Sequence, residues 1–414
     1  MSDNTANVHH GRVHVPYNPQ PLLAPLWTPG VVVLMFFMAA GAVAMLVRFI
    51  GGIGAVANLT TARPWGLWVG VDVATGVALA AGGFTTAALA HIFGRHHYEP
   101  VVRPALLTAM LGYTFVVVGL LIDIGRSWAI WKPLVYWNTN SVLFEVAMCV
   151  MVYLHVLYIE FLPVVIERFG GRVSLPGILG AGNRAVELFL SIADRLLSKT
   201  MWIFIIAGVV LSCMHQSSLG SLMLIAPTKL HPLWYTPLLP LLFLISALAV
   251  GYPMVIFETT LVSSSLGSED EMSVLSPLSK VTVFLLGLYL LLKIGDMWLR
   301  GSWVYLLDGT MQSNAFIVEM VVGVITPWLM LLAAKCRQSR RYLFIAACLI
   351  IAGVVINRIN VFIIGFTPPI TQDHYSPALG ELLVTAGLIA TLMFIYRVIV
   401  TYLPVLSPRQ KETS

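Results

Sequence analysis

Apolar residues in this chain come in long unbroken blocks. The stretch LMFFMAAGAVAMLV, Leu34 to Val47, carries no charge at all. It shows neither the one-sided stripe of a soluble helix nor the alternation of a barrel strand. A block of about 20 such residues, rising 1.5 Å each, covers a hydrocarbon core of about 30 Å. Marking these blocks between polar or Pro/Gly breaks predicts ten spans: 30–50, 66–93, 104–124, 139–162, 200–225, 237–265, 281–299, 314–335, 342–364 and 380–403. The predicted fold is therefore all-α and polytopic.

Three segments fall outside the blocks. Residues 1–28 are polar and proline-rich, with no apolar core flanked by a cleavage site, and are expected to be a retained soluble tail. The expected membrane domain is 29–404, with a short tail over 405–414. Segment 225–240 holds four prolines and has room for a re-entrant piece. Around Arg184, Glu187, Asp194 and Arg195 apolar residues recur at helical spacing, which predicts a lipid-interface helix over 183–197.

Composition agrees with a membrane chain. Of 414 residues, 58% are hydrophobic and 10% charged, and the mean hydropathy is +0.87. The distribution of Lys and Arg adds orientation, because cytoplasmic loops retain positive charge. One face receives Arg95, Arg103, the loop from Arg168 to Lys199, Lys280 and KCRQSRR. Both termini are thus expected in the cytoplasm of a bacterial or archaeal cell, with five loops outside the inner membrane. Those five loops read TTARPW, GRSWAIWKPLVYWN, APTKLHPLWYTP, RGSWVYLLDG and GFTPPITQDHYSPALG. Their Trp and Tyr suit an interfacial belt and equally a docking platform for an external protein. Membrane lipid is the implied surrounding; nothing points to nucleic acid.

Candidate chemistry rests on polar groups at membrane depth, which are costly unless paired or wet. Asp72, Glu145, His215 and Gln216, with Asp123 and Arg126, fall in the outer third by helical depth. His215 and Ser218 are i, i+3 neighbours on one face, and Gly220 permits close backbone approach. Arg103, His91, His155, Glu160 and Glu258 lie deeper, so the two sets together trace a trail across the membrane. Bland readings stand beside these: Arg103 and Glu160 snorkelling, Asp123 pairing with Arg126, His155 packed in a core. His91 and His155 lie at similar depth and make a single haem conceivable, but His215 has no histidine partner at its own depth. The four cysteines are scattered, with no CxxC or CxxxC, so no iron-sulfur cluster or metal site is expected in this chain.

Taken in order, RPWGLWVGVDVATGVALAAGGF, YEPVVRPALLTAMLGY, IDIGRSW, NTNSVLFEVAMCV, MHQSSLGSLM, HPLW, VIFETTL and NRINVFIIGF resemble the NrfD/polysulfide-reductase membrane-subunit family, most of all its ten-span HybB-type hydrogenase members. The likeness runs from Trp65 to Glu381. It implies two four-helix bundles, about 66–225 and 237–364, with peripheral helices at each end. It implies a haem-free site for menaquinone or ubiquinone near the outer face, within a subunit that lacks the catalytic centre of its oxidoreductase complex. The implied partners are a periplasmic four-cluster ferredoxin-like iron-sulfur subunit and the catalytic subunits, a hydrogenase or another metalloenzyme. The implied quinone site is Asp72, Glu145, His215, Gln216 and Ser218, and the implied proton route Glu145, Glu258, Arg103 and His155. A solute or ion transporter is the competing class, disfavoured because spans 5 and 6 show no symmetry-related broken helices.

Overall fold

The computed structural model describes residues 19–22, 25–174, 176–266, 272–369 and 375–407. Ten long apolar helices cross it: α1 Pro29–Gly51, α2 Trp68–Ile92, α3 Glu99–Asp123, α4 Val142–Phe169, α5 Asn183–Ser221, α6 Leu239–Leu266, α7 Met272–Leu299, α8 Met311–Leu332, α9 Arg340–Ile364 and α10 Leu379–Tyr402. Among the described residues the only β pairings are two isolated bridges, Gln20 with Leu406 and Leu230 with Phe366. The chain is an all-α multi-pass membrane protein. The Gln20–Leu406 bridge ties both ends of the described chain to one face, as an even number of spans requires. That face collects the basic loops; the opposite face carries the aromatic ones.

Helices α2 to α5 pack around one another, as do α6 to α9, while α1 and α10 lie together against the outside of α3. Helix α2 is central, touching α3, α5, α6 and α9. Its small residues explain why: a Cβ on Gly82 would meet the Gly251 carbonyl oxygen at 2.9 Å. The helix is also irregular. It opens and closes in π turns, Trp68–Thr75 and Ala88–Ile92, with a turn at Ala80 between. Further π turns occupy Val321–Ile325 in α8 and Asn360–Ile364 in α9.

Two expectations change. The segment 183–197 is not a separate interfacial helix but the first four turns of α5, which runs unbroken through 39 residues. No Gly or Pro stands between Asn183 and Ala207 to stop it, and Lys199 is a good helix former. The segment 225–240, which had room for a re-entrant piece, carries no helix over 226–238. It folds as turns with Leu233, Trp234 and Thr236 buried against the second bundle.

Arg48, which the sequence reading passed over, is buried at the aromatic end of α1. Its guanidinium donates to the carbonyls of Ile122 and Ile124, each at 2.6 Å, and so caps the C-terminus of α3, where a cation complements the helix dipole. Asp123 lies beside this charge rather than paired only along its own helix.

Candidate functional site

The first bundle holds a polar seam between the antiparallel helices α4 and α5. At the aromatic face, about 5 Å below the start of α4, Glu145 accepts a 2.6 Å hydrogen bond from the Ser218 hydroxyl. Glu145 is exposed on the outer side of the bundle, whereas Ser218 is buried. Deeper stand Tyr113 of α3 and Tyr153 of α4, each about 15 Å from the aromatic end of its helix, and His215 of α5, about 9 Å from the end of its own, all buried. Tyr113 and His215 Nδ1 are 3.3 Å apart. The rings of Tyr113 and Tyr153 meet edge to face at 4.5 Å.

These groups are not all satisfied. His215 Nε2 and Gln216 Oε1 are buried without a hydrogen-bond partner, while the Ser212 hydroxyl lies close enough to the Tyr113 and Tyr153 hydroxyls to interact with both. Such orphaned atoms cost about 1–3 kcal/mol each unless a ligand or water meets them. Between α4 and α5 this leaves His215 Nε2 unpartnered beside the Tyr113, Tyr153 and Ser212 hydroxyls, a polar place in an apolar bundle. A quinone headgroup fits this donor chemistry, since its two carbonyl oxygens accept what Tyr153, Ser212 and His215 offer. If Tyr113 donates to Nδ1, His215 presents an Nε2–H.

The remaining predicted residues are spread around this seam. Gln216 turns toward α2 and donates to the Val77 carbonyl at 2.8 Å, close to the turn at Ala80. Asp72 faces α10, accepting from Thr385 at 2.7 Å, and so stands apart from Glu145 and His215 despite its similar depth. Glu258 is buried where α6 meets α10 and accepts from Tyr396 at 2.6 Å. Arg103 lies at the basic face, paired with Glu167 at 2.7 Å and bonded to the Pro404 carbonyl. His155 is exposed, its Nδ1 2.7 Å from the Met151 carbonyl of its own helix, so it points away from the bundle interior. Depth along a helix was readable in the sequence; the face was not.

The second bundle contains a charged network that sequence reasoning missed. Glu319 of α8 is fully buried, accepting from Trp234 at 2.9 Å and from Asn357 and Asn360 at 2.7 Å each. Arg358 donates to Asn357 at 2.6 Å and to Ser246 at 2.9 Å, and lies 3.6 Å over the Phe243 ring. Lys293 of α7 donates to the Leu233 carbonyl at 3.0 Å. Asp296 holds Thr236 and pairs with Arg300. A 20 Å³ cavity bounded by Ser246, Tyr289, Glu319 and Asn357 is large enough for about one water. The signal was present: FIVEMVV, LLKIGDMW and NRIN each place a charge inside an apolar block.

His91 and His155 are both exposed, and His215 meets Tyr113 rather than a second imidazole. Among the described residues no group of three or more His, Cys, Asp and Glu converges as metal ligands.

With this geometry in view, the comparison with known proteins is decisive. The family described as "Polysulphide reductase, NrfD" matches residues 55–369. The chain belongs to the NrfD/polysulfide-reductase family. This NrfD-family chain is 38% identical over 391 residues to a protein of Nitratidesulfovibrio vulgaris, covering 92% of this chain and 95% of that one. It is 33% identical over 403 residues to the "Probable Ni/Fe-hydrogenase 2 b-type cytochrome subunit" of Escherichia coli, covering 96% and 97%. It is 24% identical over 376 residues to the "Menaquinone reductase, integral membrane subunit" of N. vulgaris, covering 84% of each. NrfD-family membership makes it a multi-pass inner-membrane subunit of a quinone-interacting redox complex, without the catalytic centre.

Proposed function

We propose that this NrfD-family chain is the quinone-reactive membrane subunit of a nickel-iron hydrogenase or a related periplasm-facing oxidoreductase. The observation that carries the reading is the α4/α5 seam, where the unpartnered His215 Nε2 stands among the Tyr113, Tyr153 and Ser212 hydroxyls beneath an exposed aromatic surface. Trp128, Trp131, Tyr136 and Trp137 stand out from the loop that leads into Glu145, with Trp128 75% and Trp137 70% exposed. In this reading both termini are cytoplasmic, and a ferredoxin-like iron-sulfur subunit rests on the aromatic face directly above the seam.

Reduction of a quinone consumes two electrons and two protons. This chain's residues supply a binding site and protons, and the electrons come from the docked subunit. The headgroup of menaquinone or ubiquinone enters between α4 and α5 beside Glu145 and Ser218. His215, held by Tyr113, together with Tyr153 and Ser212, meets its oxygens. Gln216 fixes the irregular part of α2 that forms the opposite wall. Asp72 and Glu258, each tied to α10, serve a proton path to the outer and inner faces. The name of the E. coli relative includes a b-type cytochrome, but the exposed His91 and His155 argue against carrying haem over to this chain.

The transporter reading is weaker because the irregular helices are the first of one bundle and the third and fourth of the other, which is not a symmetry-related pair. Purification from native membranes in mild detergent tests the proposal. The expected result is a retained iron-sulfur protein and reduction or oxidation of a quinone analogue that His215→Leu abolishes while the complex stays assembled. A chain that moves a solute in liposomes without any redox partner would overturn it.

A further inference from the structure

The seam continues below the candidate quinone pocket. Seven residues beyond Tyr153 on α4 stands Glu160, and seven before His215 on α5 stands Gly208, so both extend the same facing surfaces toward the basic side. The Glu160 carboxylate sits in the space that Gly208 leaves open: a Cβ there would lie 2.6 Å from its Oε1 and 3.4 Å from its Cδ. Side chains on a helix lean toward its N-terminus. Because α4 and α5 are antiparallel, Glu160 leans up toward Tyr153, while His215 and Ser212 lean down toward Glu160. Glu160 is near enough for its charge to act on the Tyr153 hydroxyl. Between them lie the Ser212 and Tyr153 hydroxyls, close enough to interact with each other. The other titratable groups facing this stretch are Tyr113, Cys149 and Cys213. At the basic face Glu167, seven residues beyond Glu160 on α4, pairs with Arg103 of α3, and both are part-exposed.

We propose that Glu160 is the proton-carrying carboxyl that feeds the His215 end of the seam from the basic face, and that Gly208 is small in order to seat it. The proposal rests on the quinone reading above. The rise of seven residues is about 10 Å, which two or three waters at about 2.8 Å spacing complete once side-chain reach is counted. Ser212 and Tyr153 supply the polar partners those waters need. For each quinone reduced, two electrons arrive from the iron-sulfur partner and two protons reach the quinone oxygens. Each proton leaves the Glu160 O–H and passes along the water chain. Each time, the resulting carboxylate takes a proton from water at the Arg103–Glu167 pair, so Glu160 ends the cycle unchanged.

The test uses the intact complex in liposomes, with the aromatic face outward, reduced methyl viologen outside as donor, menaquinone in the bilayer and a pH dye inside. The wild type should acidify nothing and instead draw protons from the lumen during turnover. Glu160→Gln should slow turnover and lumenal uptake together by about tenfold or more, and Glu160→Asp should keep a measurable part of both. Gly208→Ala, which displaces the carboxylate without removing it, should slow both while leaving assembly intact, and serves if Glu160→Gln fails to assemble. Normal lumenal uptake in Gly208→Ala and Glu160→Gln overturns the proposal, as does uptake from outside in the wild type; either leaves the quinone reading standing. A wild-type complex that does not reduce menaquinone overturns the parent reading instead.

Discussion

Replacing Glu319 by Gln perturbs a single atom pair in the most tightly bonded part of the second bundle. The carboxylate oxygens accept three N–H donors, Oε2 from Trp234 and Asn360 and Oε1 from Asn357. In the amide, one oxygen becomes an NH2 that must face a donor. Turning the NH2 toward Asn357 sacrifices the fewest bonds, and Asn357 cannot flip to accept it because its Oδ1 already takes a hydrogen from Arg358 at 2.6 Å. At least one buried donor is left unmet, at about 1–3 kcal/mol, and the bonds that remain lose their charge assistance. Arg358 and Lys293 also lose a buried counter-charge. The expected loss is about 2–4 kcal/mol. Glu145→Gln, an exposed carboxylate with a single hydroxyl donor, should cost under about 1 kcal/mol. Thermal midpoints of the two variants in the same detergent, read by size-exclusion recovery, check the ranking. Equal midpoints would refute the network argument.

Other perturbations should read out different parts of the molecule. Gly387→Leu drives a side chain into the backbone of Gly41, whose own Cβ would lie 2.7 Å from the Gly387 Cα, so α1 should separate from α10 and become accessible to protease at a cost of about 1–3 kcal/mol or more. Burial lowers the pKa of His231 in the aromatic-face segment 226–238, and its Nδ1 accepts from the Leu233 amide at 3.3 Å. A lowered folded pKa means stability held above the usual 6.5 and lost as pH falls through the folded value, so the midpoint should drop in acid and His231→Asn should flatten that slope. Trp128→Ala with Trp137→Ala should weaken retention of the iron-sulfur partner without lowering the thermal midpoint, since both side chains are exposed.

Much of this was legible in the chain. Unbroken apolar blocks gave all ten helices, because hydrocarbon thickness sets their length more firmly than local propensity does. His215 and Ser218 were visible as polar residues in an apolar run at the depth of Glu145, which Ser218 does meet, but Tyr113, the partner of His215, was not singled out. Asp72 and Glu145 were at the right height but on different sides, because depth fixes position along an axis and only packing fixes direction around it. The unbroken α5 was obscured because charged residues at 184–199 suggested a boundary, whereas Arg, Glu and Lys are good helix formers and do not stop a helix. Glu319, Lys293 and Arg358 were readable as buried charges, but their meaning depended on Trp234, which arrives from a loop that the apolar pattern does not describe.

The central claim is that a quinone headgroup binds in the α4/α5 seam. Photolabelling of the membrane complex with a quinone analogue, followed by peptide mapping, measures this directly. The account predicts label on peptides containing Glu145 to Glu160 and Gly208 to Ser218, suppressed by excess menaquinone and lost in His215→Leu. Saturable label confined to the second bundle, or label that menaquinone does not displace, would contradict it.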